Sequence, residues 1–234
     1  MAIIRSPKLS EDALVLMRRI VEANAWRQAL GVNILGHCTK MVGDYEGKRG
    51  VAEEMLVCLD FYDELRACYV ELGGEDLDVA VRDRLMNVPM PESRFELALC
   101  RLLTDRAQRI ALASFLTSRC KPFAALAKRH LKRPAPVGDA ERERMAAFCS
   151  EETNRPRAQQ LLETWLGISL MALGRPGSAG DERAMDLGLR DSSSEQQMAD
   201  FLGEVRDLVA RWGLEMPHAE RIAADVPERL LVGV

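Results

Sequence analysis

The sequence predicts an all-α protein with an antiparallel bundle at its centre, and three observations carry that prediction. Aromatic residues make up only 5% of the 234 positions, while Ala, Leu, Arg and Glu abound, residues that lose little side-chain entropy on entering a helix. No stretch alternates apolar and polar residues with the Val, Ile and Thr enrichment of a half-buried strand. Apolar positions recur instead three or four apart over long segments bounded by Gly and Pro, the arrangement of long helices joined by short breaks.

The first helix begins after Ser10, an N-cap followed by the first-turn acids Glu11 and Asp12. Its buried stripe reads Leu14, Met17, Val21, Ala25 and Gln28, then drifts to Leu30, Ile34, Cys38 and Met41 before the break at 42–47. A helix of about 30 residues is roughly 45 Å long. The second helix is expected over about 48–72, closed by Gly73-Gly74. The polar stretch 75–92 has room for one short helix. A third helix follows Pro91 and reaches about Ser118. Pro122 cannot sit in a helix interior, so the break falls near 119–121 and a fourth helix covers 122–132. Pro134-Ala135-Pro136-Val137-Gly138 stops it. Further helices are expected at 140–151, 156–173 and 195–212, with a Gly-, Pro- and Ser-containing loop between the last two. The chain reads as one domain, 1–234, with a core bundle over about 11–175 and a helical arm over about 176–234.

Composition narrows the function classes. Hydrophobic residues at 47% and charged residues at 29% can build a core. Thirty-two basic against 36 acidic residues leave a net charge of −4, which excludes a protein held on nucleic acid by phosphate neutralisation. No apolar run approaches the ~18 residues of a membrane span, and residues 1–10 have no apolar core of an export signal. The six cysteines contain no CxxC pair and read as small buried hydrophobes in a reducing cytoplasm, so a cytoplasmic location is expected. GxxxxGK(S/T), GxGxxG, HExxH and GxSxG do not occur, which leaves nucleotide hydrolysis, dinucleotide binding, zinc proteolysis and α/β-hydrolase chemistry without a motif.

Three ordered stretches carry a resemblance to a known family: Tyr69-Val70-Glu71-Leu72-Gly73; Asp105 followed by Pro122-Phe123-Ala124; and a tail with Leu187-Gly188-Leu189-Arg190, Ser194-Glu195, Phe201 and Trp212-Gly213-Leu214-Glu215-Met216-Pro217. Together they cover most of 15–217, and the order resembles the ferritin-like phenylacetic acid catabolic family, whose catalytic member is the phenylacetyl-CoA epoxidase subunit. The resemblance implies a ferritin-like antiparallel four-helix bundle with extra C-terminal helices. It also implies a di-iron site held by a Glu from the first helix, an ExxH pair from the second, an acid from the third and an ExxH pair from the fourth. Carried over residue by residue, those positions fall at Gln28, at Cys58 and Phe61, at Asp105, and at Pro134 and Val137. One ligand type of six is retained. Iron in such a site needs several charged oxygens and two imidazoles, so a degenerate bundle with no cofactor is expected, a structural or interaction subunit like the family's non-catalytic members. The alternative is an oxygenase acting on an aromatic or acyl-CoA substrate through a rebuilt metal site, which would hold di-iron.

Other residues are weighed against plainer roles. Asp105, Glu54 and His37 are the candidate members of a rebuilt site; against this, Glu53 and Glu54 suit a solvated helix face, and Asp105 suits an ion pair with Arg101, Arg106 or Arg109. His37 beside Cys38 has no identifiable base partner. His130, within Lys128-Arg129-His130-Leu131-Lys132-Arg133, suits a solvated helix end that complements the dipole, or an anion contact. If iron is lost, Gln28, Cys58, Phe61 and Asp105 are expected to pack together, with Phe61 filling the metal volume. The expected partner is a second copy or another helical-bundle subunit, as homodimer or heteromer, with no nucleic acid and no membrane; Phe61, Tyr62, Tyr69 and Trp212 are its candidate anchors.

Overall fold

The computed structural model describes residues 9–82, 88–222, 224 and 226–232. Among them the chain is all-helical, with ten α-helices and no strand: α1 Glu11–Cys38, α2 Tyr45–Glu71, α3 Leu77–Arg82, α4 Arg94–Ala113, α5 Lys121–Leu131, α6 Asp139–Ser150, α7 Arg155–Met171, α8 Ala179–Asp186, α9 Ser194–Arg211 and α10 Glu228–Val232. Short 3-10 turns follow α1 at Thr39–Met41 and precede α10 at Ala219–Arg221.

The caps explain the boundaries. The Ser10 hydroxyl accepts from the Ala13 amide, and the Asp44 carboxylate accepts from the Gly47 amide at the start of α2. Gly73, at φ +79°, closes α2: its amide and that of Gly74 donate back to the Val70 and Tyr69 carbonyls. Ser93 caps α4 by accepting from the Glu96 amide, and Glu96 reaches back to accept from the Glu92 amide. The third helix stops at Ala113 rather than 118. Ser114 turns its hydroxyl onto the Ala111 carbonyl, and residues 115–118 close as i→i+3 turns.

Helix α1 runs antiparallel to α2. Arg18 bonds the Leu72 carbonyl, the Tyr69 hydroxyl donates to Glu22, and a side chain on Gly31 would meet Cys58 Sγ at 3.3 Å. The 73–93 crossover, which carries α3 against α1, makes α4 parallel to α2 and antiparallel to α1. Cys38, at the end of α1, lies against Pro91, just before α4 begins. Helix α5 then folds back along α4 and against α2; Arg109 of α4 bonds the Leu131 and Arg133 carbonyls, and Arg129 pairs with Glu64 at 3.4 Å. Four helices thus form an up-and-down arrangement with one long crossover.

Two buried clusters divide the interior. One joins α4 to α6, α7 and α9 around the fully buried Trp165; the other joins the first half of α1 to α2, α3, α5 and α8 around Phe61, Leu65 and Phe123. The tail belongs to this interior, since Trp212 is 5% exposed within the first cluster. Phe61 is fully buried, Tyr69 is buried and bonded to Glu22, and Tyr62 donates to Asp78. The four expected anchor residues are therefore engaged within the chain itself.

Helix α8 lies in the stretch expected to be a loop. Ser178 caps it, and buried Asp181 fixes it to α9 by pairing with Arg190 and accepting from both the amide and the hydroxyl of Ser194. No helix among the described residues is long and apolar enough to cross a membrane.

Candidate functional site

The α1–α2 hairpin and α4 enclose a cleft of about 850 Å³, closed at one end by α5 and the 133–136 turn and along one side by the end of α7. Helical periodicity builds each wall. From α1 come Trp26, Arg27, Gln28, Leu30, Gly31 and Ile34, and from α2 come Val51, Glu54 and Cys58. Helix α4 contributes Leu97, Arg101, Thr104, Asp105 and Gln108, spaced three or four apart on one face. The rim reaches solvent through exposed residues such as Glu53 and Asp60.

The cleft holds three of the six carried-over positions on facing helices, Gln28, Cys58 and Asp105, together with Pro134 at its closed end. Phe61 does not fill it. Its ring lies in the neighbouring core, stacked on His130 with centroids 4.0 Å apart. Val137 is buried and lines a separate 230 Å³ pocket on the far side of Asp105 and Arg109. His37 is exposed in the last turn of α1 and lies outside the cleft, so of the residues weighed for a rebuilt site only Glu54 and Asp105 share it.

Both carboxylates are engaged. Glu54 is no solvated face residue: its side chain is 19% exposed and paired with Arg101, whose guanidinium also donates to the Pro136 carbonyl at 2.9 Å. Asp105 accepts from Arg109 Nε at 2.8 Å. The other nitrogens of Arg109 donate to Leu131 and Arg133, so this ion pair also fastens the end of α5. Burial raises the pKa of each carboxylate, against the attraction of these arginines. The Cys58 thiol is pushed up to about 12 by burial and by nearby Glu54, so it is protonated at neutral pH. Among the described residues, no three His, Cys, Asp or Glu side chains stand together as a metal-holding group.

His130 departs from the solvated helix end expected of it. It is 7% exposed, Nδ1 has no hydrogen-bond partner, and burial with Arg133 and Arg109 nearby brings its pKa down to about 4. The imidazole is neutral at physiological pH.

Three further residues have no signal in any motif. The half-buried Arg27 bonds Asn24 Oδ1 at 3.3 Å and the Ala172 carbonyl at 2.5 Å, and burial lowers its pKa to about 10. Trp26 Nε1 and Gln108 Nε2 are buried without partners among the described residues. All three line the cleft. The class defined by fold and site is thus an all-α bundle with a part-apolar, arginine-bearing central cleft. No protein-family model matches this chain, and no curated protein matches it in sequence.

Proposed function

We propose that this chain is a metal-independent, ferritin-like bundle that works as a structural or binding subunit, a degenerate relative of the phenylacetic acid ring-oxygenase family. One observation carries the reading: the two cleft carboxylates, Glu54 and Asp105, are each held by an arginine of α4. Iron could recruit them only by breaking both pairs, and freeing a part-buried guanidinium costs several kcal/mol. Gln28 and Cys58, which face them, add no charged oxygen or imidazole. Six unpaired thiols support a cytoplasmic setting.

The subunit role draws support from the outer face of α2, where Leu56 and Leu59, one turn apart, are 59% and 45% exposed. A second helical bundle, identical or not, is the partner that such a face suits.

Metal analysis of protein expressed with iron supplied tests the reading. Substoichiometric iron is expected. About two irons per chain would overturn it and favour an oxygenase with a rebuilt site.

A further inference from the structure

We propose that the central cleft is a binding site for a small organic acid, with an apolar body along α1, α4 and α7 and its carboxylate at the Arg27 end. The inference rests on the metal-free reading of the same cleft and names what occupies it.

Charge selects an anion. Glu54 and Asp105 have their arginines, and Glu141 at the other end pairs with Arg144 and, at 3.6 Å, with Arg94. Two cleft arginines differ, having no carboxylate partner among the described residues: Arg133, which donates to the Val57 carbonyl, and Arg27. Two of the five N–H donors of Arg27 have partners, one an amide oxygen and one a carbonyl. A half-buried guanidinium with only neutral acceptors is better satisfied once an anion completes it.

Three more orphaned polar atoms belong to residues toward the same end of the cleft, while a fourth, Arg101 Nε, lies beside Glu54. Because α4 runs antiparallel to α1, its last turns lie level with the middle of α1. Gln108 therefore reaches the level of Trp26 and Arg27, and His130 reaches it from the end of α5. Trp26 Nε1 can only donate. Gln108 Nε2 donates as placed, and His130 Nδ1 donates in one tautomer. Three helices thus present unpartnered polar atoms at the level of Arg27, with Arg133 also on the wall, and an acceptor-rich, negatively charged head suits such a set. Leu30, Ile34, Leu97, Ala98 and Ile168 give the wall an apolar stretch, and the volume falls within the range of small-molecule sites.

Calorimetric titration of the full chain with octanoate and with octan-1-ol separates head from tail. One octanoate per chain is expected, bound about ten- to a hundredfold tighter than the alcohol, the range of a charge-assisted pair. Arg27→Met is expected to abolish that preference while leaving the alcohol's affinity unchanged. Arg27 also ties α1 to α7, so Trp26→Phe provides a milder variant. It keeps an aromatic ring while removing the N–H donor, and is expected to weaken octanoate about three- to tenfold with the fold retained. Absence of saturable octanoate binding, equal affinity for acid and alcohol, or a preference unmoved in both variants would overturn the proposal. A failed titration with substoichiometric iron sinks the ligand alone, whereas two irons per chain sink the metal-free reading itself.

Discussion

Acidification from pH 7 to pH 5 is expected to unmask the imidazole of His130 as a specific loss of stability. The ring is 7% exposed, stacked on Phe61 and without a partner at Nδ1; burial first, then Arg133 and Arg109, lowers its pKa from 6.5 to about 4. Between those values the unfolded chain binds a proton that the native protein does not. The stability this histidine contributes is therefore complete above pH 6.5 and declines as pH falls toward 4. At about 1.4 kcal/mol per pH unit, the loss is roughly 2 kcal/mol by pH 5 and about 3 kcal/mol by pH 4. His130→Phe keeps a ring against Phe61 and removes both the titration and the orphaned nitrogen. Urea unfolding of both proteins at pH 7 and pH 5 isolates the effect, because carboxylates such as Glu54 and Asp105, whose raised pKa values work with the opposite sign, cancel in the difference. The variant is expected to gain about 2 kcal/mol relative to the parent on going to pH 5. A difference that stays within about 0.5 kcal/mol, the usual span of a neutral surface change, would show a hydrated imidazole and refute the reasoning.

Two further substitutions probe the ion pairs. Asp181→Ala strips the buried Arg190 of its partner and leaves the Ser194 amide unsatisfied, so a loss of roughly 3–5 kcal/mol is expected in chemical denaturation, with α8 releasing from α9. Arg109→Ala removes three bonds and detaches the end of α5, at a cost of about 2–4 kcal/mol by the same measurement. Asp105→Asn keeps an acceptor and the two carbonyl bonds, so it is expected to cost about 1 kcal/mol or less; equal losses in the two proteins would deny Arg109 its fastening role.

The helices were legible because each local signal agreed with the tertiary outcome. Ser10 caps α1, Gly73 ends α2 with a positive φ, and Pro122 sits in the first turn of α5, where its missing amide costs nothing. Helix α8 was not legible. Residues 174–194 are rich in Gly and Ser, and the helix is fixed by the Asp181–Arg190 pair, a contact whose partners lie on either side of a turn and follow no period. The family resemblance put Gln28, Cys58, Phe61 and Asp105 at one site; Gln28, Cys58 and Asp105 share a cleft, while Phe61 lies in the neighbouring core. Phe123, Leu126, Ala127 and His130 share one face of α5 and are all buried, so phase alone turns His130 inward; its charged neighbours in sequence obscured that.

Arg27 shows what periodicity cannot supply. Its place beside the buried stripe of α1 is visible in the sequence, but whether it is a surface charge or a buried one depends on α7, nearly 150 residues onward, whose Ala172 carbonyl holds it. The acids within the cleft differ in this respect. Asp105, read along its own helix, already suits the ion pair that Arg109 supplies, whereas Glu54, expected on a solvated face, becomes structural only because Arg101 closes on it. Helix α4 thereby uses its arginines to neutralise the two carboxylates Glu54 and Asp105, while Arg27 and Arg133 on the same cleft have no carboxylate partner among the described residues. That unequal pairing, rather than any motif, is why the cleft suits a negatively charged organic ligand better than a cation.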